Sequence, residues 1–320
     1  MARLRIIDPY ILAILGMAAL AWVFPCRGQG AIVMGEVTNG AIAVLFFLYG
    51  ARLSREAVLA GVTHWRLQLV VMFTTFVLFP VLGLAIGYAA HPLLPPQLAL
   101  GLIFLGLLPS TVQSSIAFTS IARGNVPAAV CCASLSSLAG IVLTPLAAGI
   151  LLSAQGHNFS LNAAGNIIEQ LLLPFLAGQL LRPWIRGWME RSARILGYMD
   201  LGTILLIVYM AFSESVEHGI WREVDAATLG LLLLLNAVLL AAVLEATTLL
   251  SRRLGFNKAD EIAIVFCGSK KSLASGIPMA NILFAGTPVG LVVLPLMLFH
   301  QIQLMACAVL ARRYAACPAR

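Results

Sequence analysis

The chain is 320 residues long, 61% hydrophobic and only 10% charged, with a mean hydropathy of +0.97 and a formal net charge of +7. A water-soluble globular surface does not tolerate that composition, so the solvent of this fold is a lipid bilayer. A β-barrel is excluded too, because barrel strands alternate lipid-facing and lumen-facing residues and runs such as Leu231 to Leu235 do not.

A hydrocarbon core of roughly 30 Å takes about 20 apolar residues per helix. Cut at that length, the chain yields ten apolar stretches: 9–25, 37–51, 67–90, 97–122, 127–153, 166–182, 196–213, 226–251, 259–284 and 288–311. The first follows Arg3 and Arg5, as a signal peptide would, but no small-residue cleavage site precedes Arg27, so a retained helix is expected. Between the seventh and eighth stretches Glu214, Glu217, Glu223 and Asp225 gather with His218, a solvated acidic loop or a cation-binding one. His300, Gln301 and Gln303 in the last stretch either line a core or satisfy one another by hydrogen bonds. Trp184, Trp188 and Trp221 near span ends read as an interfacial belt. The six cysteines, Cys26, Cys131, Cys132, Cys267, Cys307 and Cys317, have neither metal-site spacing nor a disulfide framework and read as small packing residues.

The basic residues set the orientation. With the N-terminus inside, the cytoplasmic segments hold Arg3, Arg5, Arg52, Arg55, Arg66, Arg123, Arg182, Arg186, Arg191, Arg194, Arg252, Arg253, Lys258, Arg312, Arg313 and Arg320, sixteen of the twenty. Only Arg27 and Arg222 fall outside, and Lys270 and Lys271 lie within an apolar stretch. The positive-inside rule then puts both termini in the cytoplasm. The positive charge reports orientation and lipid headgroups, and no nucleic-acid partner is implied.

The fourth and ninth stretches echo each other, with Gly106 opposite Gly268, Ser110 opposite Ser272 and Gly124 opposite Gly286. Each is interrupted near its middle by polar or helix-breaking residues: Pro109, Ser110, Thr111, Gln113, Ser114 and Ser115 in one, Ser269, Lys270, Lys271, Ser272, Ser275, Gly276 and Pro278 in the other. Unwound backbone at membrane depth survives only where protein or a water-filled cavity satisfies its amides, so paired interruptions point to a transport site. The competing reading is that the serines and glycines simply allow close helix packing.

Leu108-Pro-Ser-Thr-Val-Gln-Ser-Ser115, Ala122-Arg-Gly-Asn125 and Leu143-Thr-Pro145 resemble the fourth and fifth helices of the bile acid:sodium symporter family. Asp8-Pro9, Phe46-Phe-Leu-Tyr-Gly50, Leu173-Pro-Phe-Leu-Ala-Gly-Gln179 and Arg182-Pro183 resemble its symporter-like branch, so the resemblance covers nearly the whole chain. It implies an all-α membrane protein of ten transmembrane helices in two inverted five-helix repeats, here 1–155 and 156–320. Discontinuous helices four and nine then cross in a core of helices three to five and eight to ten, beside a panel of helices one, two, six and seven. It also implies sodium bound behind the crossing, with Ser114, Ser115, Ser134 and Ser137 nearest to one ligand set. Ser136 is kept with them because the match fixes the register only to within one residue.

The ninth stretch departs from that pattern. Where sodium-coupled members carry a glutamate and, four residues on, a glutamine followed by asparagine, this chain aligns Phe266, Lys270 and Lys271, and Thr75 aligns with a glutamine of the third helix. Sodium coupling therefore does not carry over. A basic residue at the centre of a membrane helix costs roughly 2.5–3.5 kcal/mol on insertion scales, so the pair needs compensation. Three roles compete: structural lysines held by backbone carbonyls or by a carboxylate such as Glu245, a tethered cation in place of sodium, or direct contact with a substrate anion. Burial without a partner favours a neutral amine, which is the route to proton coupling.

The expected function is a secondary active transporter of a small organic anion working by alternating access, with a sodium-independent or proton-coupled carrier, or a non-transporting regulatory membrane protein, as alternatives. No enzyme is implied, because no membrane-embedded nucleophile and base are paired. The expected substrate or ion ligands are Pro109, Ser110, Thr111, Gln113, Ser114, Ser115, Ser134, Ser137, Lys270, Lys271 and Ser272. Sodium is the only ion the resemblance suggests, and a homo-oligomer is left open.

Overall fold

The computed structural model describes residues 9–52, 64–154, 171–217, 224–284, 287 and 289–316. Among these there is helix and no strand. The helices are α1 (Pro9–Val23), α2 (Gln29–Arg52), α3 (Trp65–Phe73), α4 (Phe79–Ala90), α5 (Pro96–Leu107), α6 (Val112–Ile121), α7 (Val126–Ala154), α8 (Leu173–Arg191), α9 (Ala193–Glu217), α10 (Ala226–Arg253), α11 (Lys258–Gly268), α12 (Leu273–Leu283) and α13 (Val289–Ala316). A π-helical turn, Thr74–Leu78, joins α3 to α4.

Helix occurs in each of the ten apolar stretches. Among the described residues, six helices or helix runs are long and apolar enough to cross a bilayer, and the pair α5 and α6, bent by 62° at its break, makes a seventh if counted as one span. Two helices outrun their apolar stretches by two turns or more. α2 begins at Gln29, where the Thr38 hydroxyl donates to the Met34 carbonyl (2.7 Å) and so removes the cost of a buried polar group inside the helix. α8 continues to Arg191, its end carrying an exposed Arg186–Glu190 pair one turn apart (2.8 Å). Trp184 and Trp188 are exposed on that same helix, whereas Trp221 lies outside the described residues.

The chain divides into two compact units. The first holds α1, α2, α8, α9 and Ile277–Leu291. Here α2 and α8 cross with backbones in contact: a Cβ on Gly50 would overlap the Phe175 carbonyl, and a Cβ on Gly178 would overlap the Phe47 carbonyl. That contact explains why both glycines stand in the quoted motifs. Arg52 pairs with Asp200 of α9, and the Tyr209 hydroxyl donates to the Phe24 carbonyl (2.8 Å). Glu217 at the end of α9 pairs with Arg27 (3.5 Å). Glu223 and His218 of the expected acidic loop lie outside the described residues, and Asp225 instead caps α10, accepting from the Thr228 amide (2.8 Å). That hydrogen bond holds the exposed Asp225 carboxyl below its ordinary pKa.

The second unit holds α3 to α6, most of α7, α10, α11 and most of α13. One of its apolar clusters joins Leu67, Val70 and Val71 of α3, Ala128, Ala129 and Cys132 of α7, and Ala263, Ile264 and Cys267 of α11. Cys26, Cys131, Cys132, Cys267 and Cys307 form no disulfide, and Cys317 lies outside the described residues.

Two helix-to-helix turns in this unit share one design. At Ala122-Arg-Gly-Asn125, Arg123 adopts φ 59°, the Gly124 amide donates to Thr119 and the Arg123 amide to Ser120, which closes α6 with a Schellman motif. Gly255 (φ 73°) closes α10 in the same way, with the Phe256 amide on Ser251 and the Gly255 amide on Arg252. An asparagine follows each turn and caps the next helix: Asn125 accepts from the Ala128 amide (3.0 Å) and Asn257 from the Asp260 amide (2.9 Å). Asn125 also donates to Asp260 (2.7 Å) and its amide to the Ala259 carbonyl (3.0 Å), so the α6–α7 turn is bonded to the start of α11. Beside it the buried Glu261 carboxylate accepts from Arg252, Lys258 and Tyr314.

Candidate functional site

Two broken helices meet in the second unit. α5 stops at Leu107 because Pro109 disfavours helical geometry in the residue before it, and Leu108 is extended (φ −71°, ψ 153°). α6 resumes at Val112 after an extended Thr111. α11 stops at Gly268, and α12 resumes at Leu273 with Ser272 as its cap, accepting from the Ser275 amide (3.2 Å). The breaks lie where the interrupted apolar stretches place them, although Ser275, Gly276 and Pro278 are helical. They touch through the Ser272 amide, which donates to the Pro109 carbonyl (2.9 Å).

A helix that ends in a low-dielectric interior leaves carbonyls without partners, each costing about 1–3 kcal/mol if left bare. Each broken helix supplies the other's missing donors. The Ser110 hydroxyl donates to the Cys267 carbonyl (2.6 Å), the Ser115 hydroxyl to Phe266 (2.9 Å) and the Thr111 hydroxyl to Lys271 (2.8 Å). At the end of α5, Thr144 of α7 donates to the Leu107 carbonyl (2.7 Å), and the Lys271 ammonium covers Gly106 and Leu108.

Lys271 is fully buried. Its Nζ donates to three main-chain carbonyls: Leu108 (2.6 Å), Gly106 (2.8 Å) and Thr75 (3.0 Å). The Phe79 ring centroid lies 4.1 Å away, so the charge also rests on an aromatic face. The Thr75 carbonyl is available because of the π turn. The Phe79 amide donates to Thr74, and Pro80, the next residue along, has no amide to offer. Gln303 of α13 holds the Lys271 peptide from the other side, accepting from its amide (2.9 Å) and donating to its carbonyl (3.0 Å).

Lys270 is held differently. Its Nζ donates to one carbonyl, Ser114 (2.8 Å), and lies over the Phe118 ring (4.2 Å) and the Phe266 ring (5.1 Å). Glu245 is exposed and partners neither lysine, so carbonyls and rings, not a carboxylate, compensate the pair.

Among the four serines aligned with sodium ligands, Ser115 is buried and engaged with Phe266, whereas the buried Ser114 hydroxyl oxygen finds no partner among the described residues. On α7 the crossing is held by Ser136, whose hydroxyl accepts from the Ser110 amide (3.0 Å), while Ser134 and Ser137 are half-buried to either side. Gln113 is exposed. Gln303 also bonds His300 (2.8 Å). Sequence reasoning missed Thr144, although Leu143-Thr-Pro145 stood in a quoted motif. Thr75 was singled out by alignment, but that its main-chain carbonyl is the partner of Lys271 was missed, and a signal for it is the proline five residues on.

The residues at the α11–α12 break do not fit sodium. The Phe266 ring stands where the resemblance places an acidic ligand, and the Lys271 ammonium already occupies the carbonyls. A second cation about 4 Å from that ammonium would be repelled by roughly 4 kcal/mol at an effective dielectric constant of 20. Among the described residues no three His, Cys, Asp or Glu side chains converge to hold a metal.

Long apolar helices and two helix breaks bonded to each other mark a polytopic membrane protein, and its family makes it a transporter, not an enzyme. The chain belongs to the SBF-like CPA transporter family, whose profile matches residues 8–316. It is 58% identical over 317 residues to an uncharacterized protein of Pseudomonas aeruginosa (98% of this chain, 95% of that one). It is 54% identical over 314 residues to YfeH of Escherichia coli (98% and 95%). The sodium/bile acid cotransporter 7 of Xenopus tropicalis is 30% identical over 314 residues (94% and 90%).

Proposed function

We propose that this protein is a secondary transporter that moves a small organic anion by alternating access. It has ten spans in two inverted halves, 1–155 and 156–320, with both termini in the cytoplasm. The observation that carries the reading is the meeting of the α5–α6 break with the α11–α12 break, where each satisfies the other's backbone. Buried unwound backbone of this kind is retained where a polar path through the membrane needs it. α1, α2, α8 and α9 group apart from α3 to α6, α10 and α11, which supports a panel and a core. Ile277–Leu291 departs from that scheme by grouping with the first set.

The preference for an anion follows from which helix ends remain. The carbonyl ends of α5 and α11, the attractive ends for a cation, are consumed by Lys271, Thr144, Ser110 and Ser115. The amino ends of α6 and α12 carry the opposite partial charge, with the Lys270 ammonium on the neighbouring backbone. A bile acid in a relative's name makes an amphipathic carboxylate the first substrate class to try.

The test is uptake by purified protein in proteoliposomes of a labelled bile acid, a short aliphatic carboxylate and an aryl sulfate. Saturable uptake of at least one, competed by its unlabelled form, is expected. Uptake no greater than in protein-free vesicles for all three would contradict the anion reading.

A further inference from the structure

We infer that Lys271 is a built-in cation: its ammonium fills a carbonyl cage at the crossing that would otherwise need a free ion. The inference deepens the proposed function and rests on the crossing being the transport core.

A neutral amine has two N–H groups and a lone pair, so it cannot donate to three carbonyls at once. Lys271 Nζ donates to Thr75, Gly106 and Leu108 at 2.6–3.0 Å, which requires all three N–H groups of an ammonium. The ligands are main-chain oxygens from two separate elements, a π turn and a broken helix end, and oxygen-only shells of this kind are what a hard cation takes. Gly106 and Leu108 lie at the carbonyl end of α5, where the helix dipole adds negative potential.

The cage is built around the charge and not merely occupied by it. Thr75 is left bare by the π turn and by Pro80, an arrangement that is unfavourable unless something positive faces it. The base of the side chain is fixed by Gln303 through both polar atoms of the Lys271 peptide. Lys270 differs, with one carbonyl and two rings, and has no comparable cage. The consequence is energetic: a bound ion leaves with each transport cycle, whereas a side-chain cation stays, so this position contributes no ion gradient to transport.

The test removes the tether and offers the charge back. Lys271→Ala is purified in choline chloride, and its melting temperature is followed as ammonium, methylammonium or sodium replaces choline, without substrate. A saturable rise with ammonium or methylammonium is expected, as for any ligand that binds only the native state. Lys270→Ala, titrated alongside, should not respond. The unmutated protein should melt at the same temperature in sodium and choline. A purely structural lysine would leave a variant that no small cation restores, and that outcome overturns the inference. Saturable stabilisation of the unmutated protein by sodium overturns it as well. Should Lys271→Ala fail to fold in choline, recovery of folded protein when ammonium is present throughout supports the inference, and failure in every cation overturns it. Because no substrate enters the assay, its outcome is independent of the uptake experiment.

Discussion

Gln303 clasps the Lys271 backbone on both sides of its Cα, accepting from the amide at 2.9 Å and donating to the carbonyl at 3.0 Å. The clasp fixes the amide orientation of Gln303, since the Lys271 N–H can only donate. Nε2 must then also donate to His300 Nδ1, at 2.8 Å, which leaves the ring proton on Nε2. One side chain on α13 thereby holds both the break between α11 and α12 and the tautomer of a buried histidine.

Replacing Gln303 by leucine leaves an N–H without its partner and weakens the hold on a carbonyl in a buried break. At about 1–3 kcal/mol for an unsatisfied group, we expect a clear loss of thermal stability. Gln303→Glu keeps the acceptor for the amide but turns an anionic oxygen towards the Lys271 carbonyl, so it should recover little. Melting curves of the two variants in detergent check this, and a wild-type melting temperature for Gln303→Leu would show that the clasp contributes nothing.

In the first unit, Gly178→Ala should be among the most damaging small substitutions. Its methyl would overlap the Phe47 carbonyl, backbone that cannot rotate away, so α2 and α8 must separate. Overpacking typically costs about 1–3 kcal/mol, and a clash with backbone belongs at the upper end or beyond. Gly187→Ala on the same helix, where a Cβ meets nothing, is the control and should raise or leave unchanged the melting temperature.

Asn125 joins a helix cap to an inter-helix bond. Asn125→Ala should cost about 1–2 kcal/mol, part from the α7 cap and part from the bond to Asp260. A double-mutant cycle with Asp260→Ala separates the two contributions. A coupling energy near zero would mean that the Asn125–Asp260 bond is not formed in the bilayer.

What could be read from the sequence, and what could not, follows from where the chemistry resides. The two breaks were legible because Pro109 and the run Ser269 to Ser272 interrupt apolar stretches, and side chains announce that. The family was legible in motifs such as Ala122-Arg-Gly-Asn125, which the structure explains as a helix stop, a turn and a cap. The lysine cage was not, because its ligands are carbonyls, which every residue carries, and only the backbone path brings Thr75, Gly106 and Leu108 together. Ser136 is not separable from Ser134 and Ser137 in the sequence, since one position on a helix is a rotation of 100° and serine patterning does not resolve it. The acidic-partner reading of the lysines turned on Glu245, which lies two turns from Arg252 on an exposed face.

Sodium dependence of transport by the unmutated protein tests the central claim most directly. Initial rates of uptake of the labelled bile acid, or of whichever of the three anions is carried, are compared in proteoliposomes with external sodium chloride or choline chloride at equal ionic strength. Because Phe266 stands where the resemblance places an acidic ligand and the Lys271 ammonium covers the carbonyls, we expect the same rate in both salts. A saturable, several-fold stimulation by sodium would contradict the account and return the serines of α6 and α7 to the role of ion ligands.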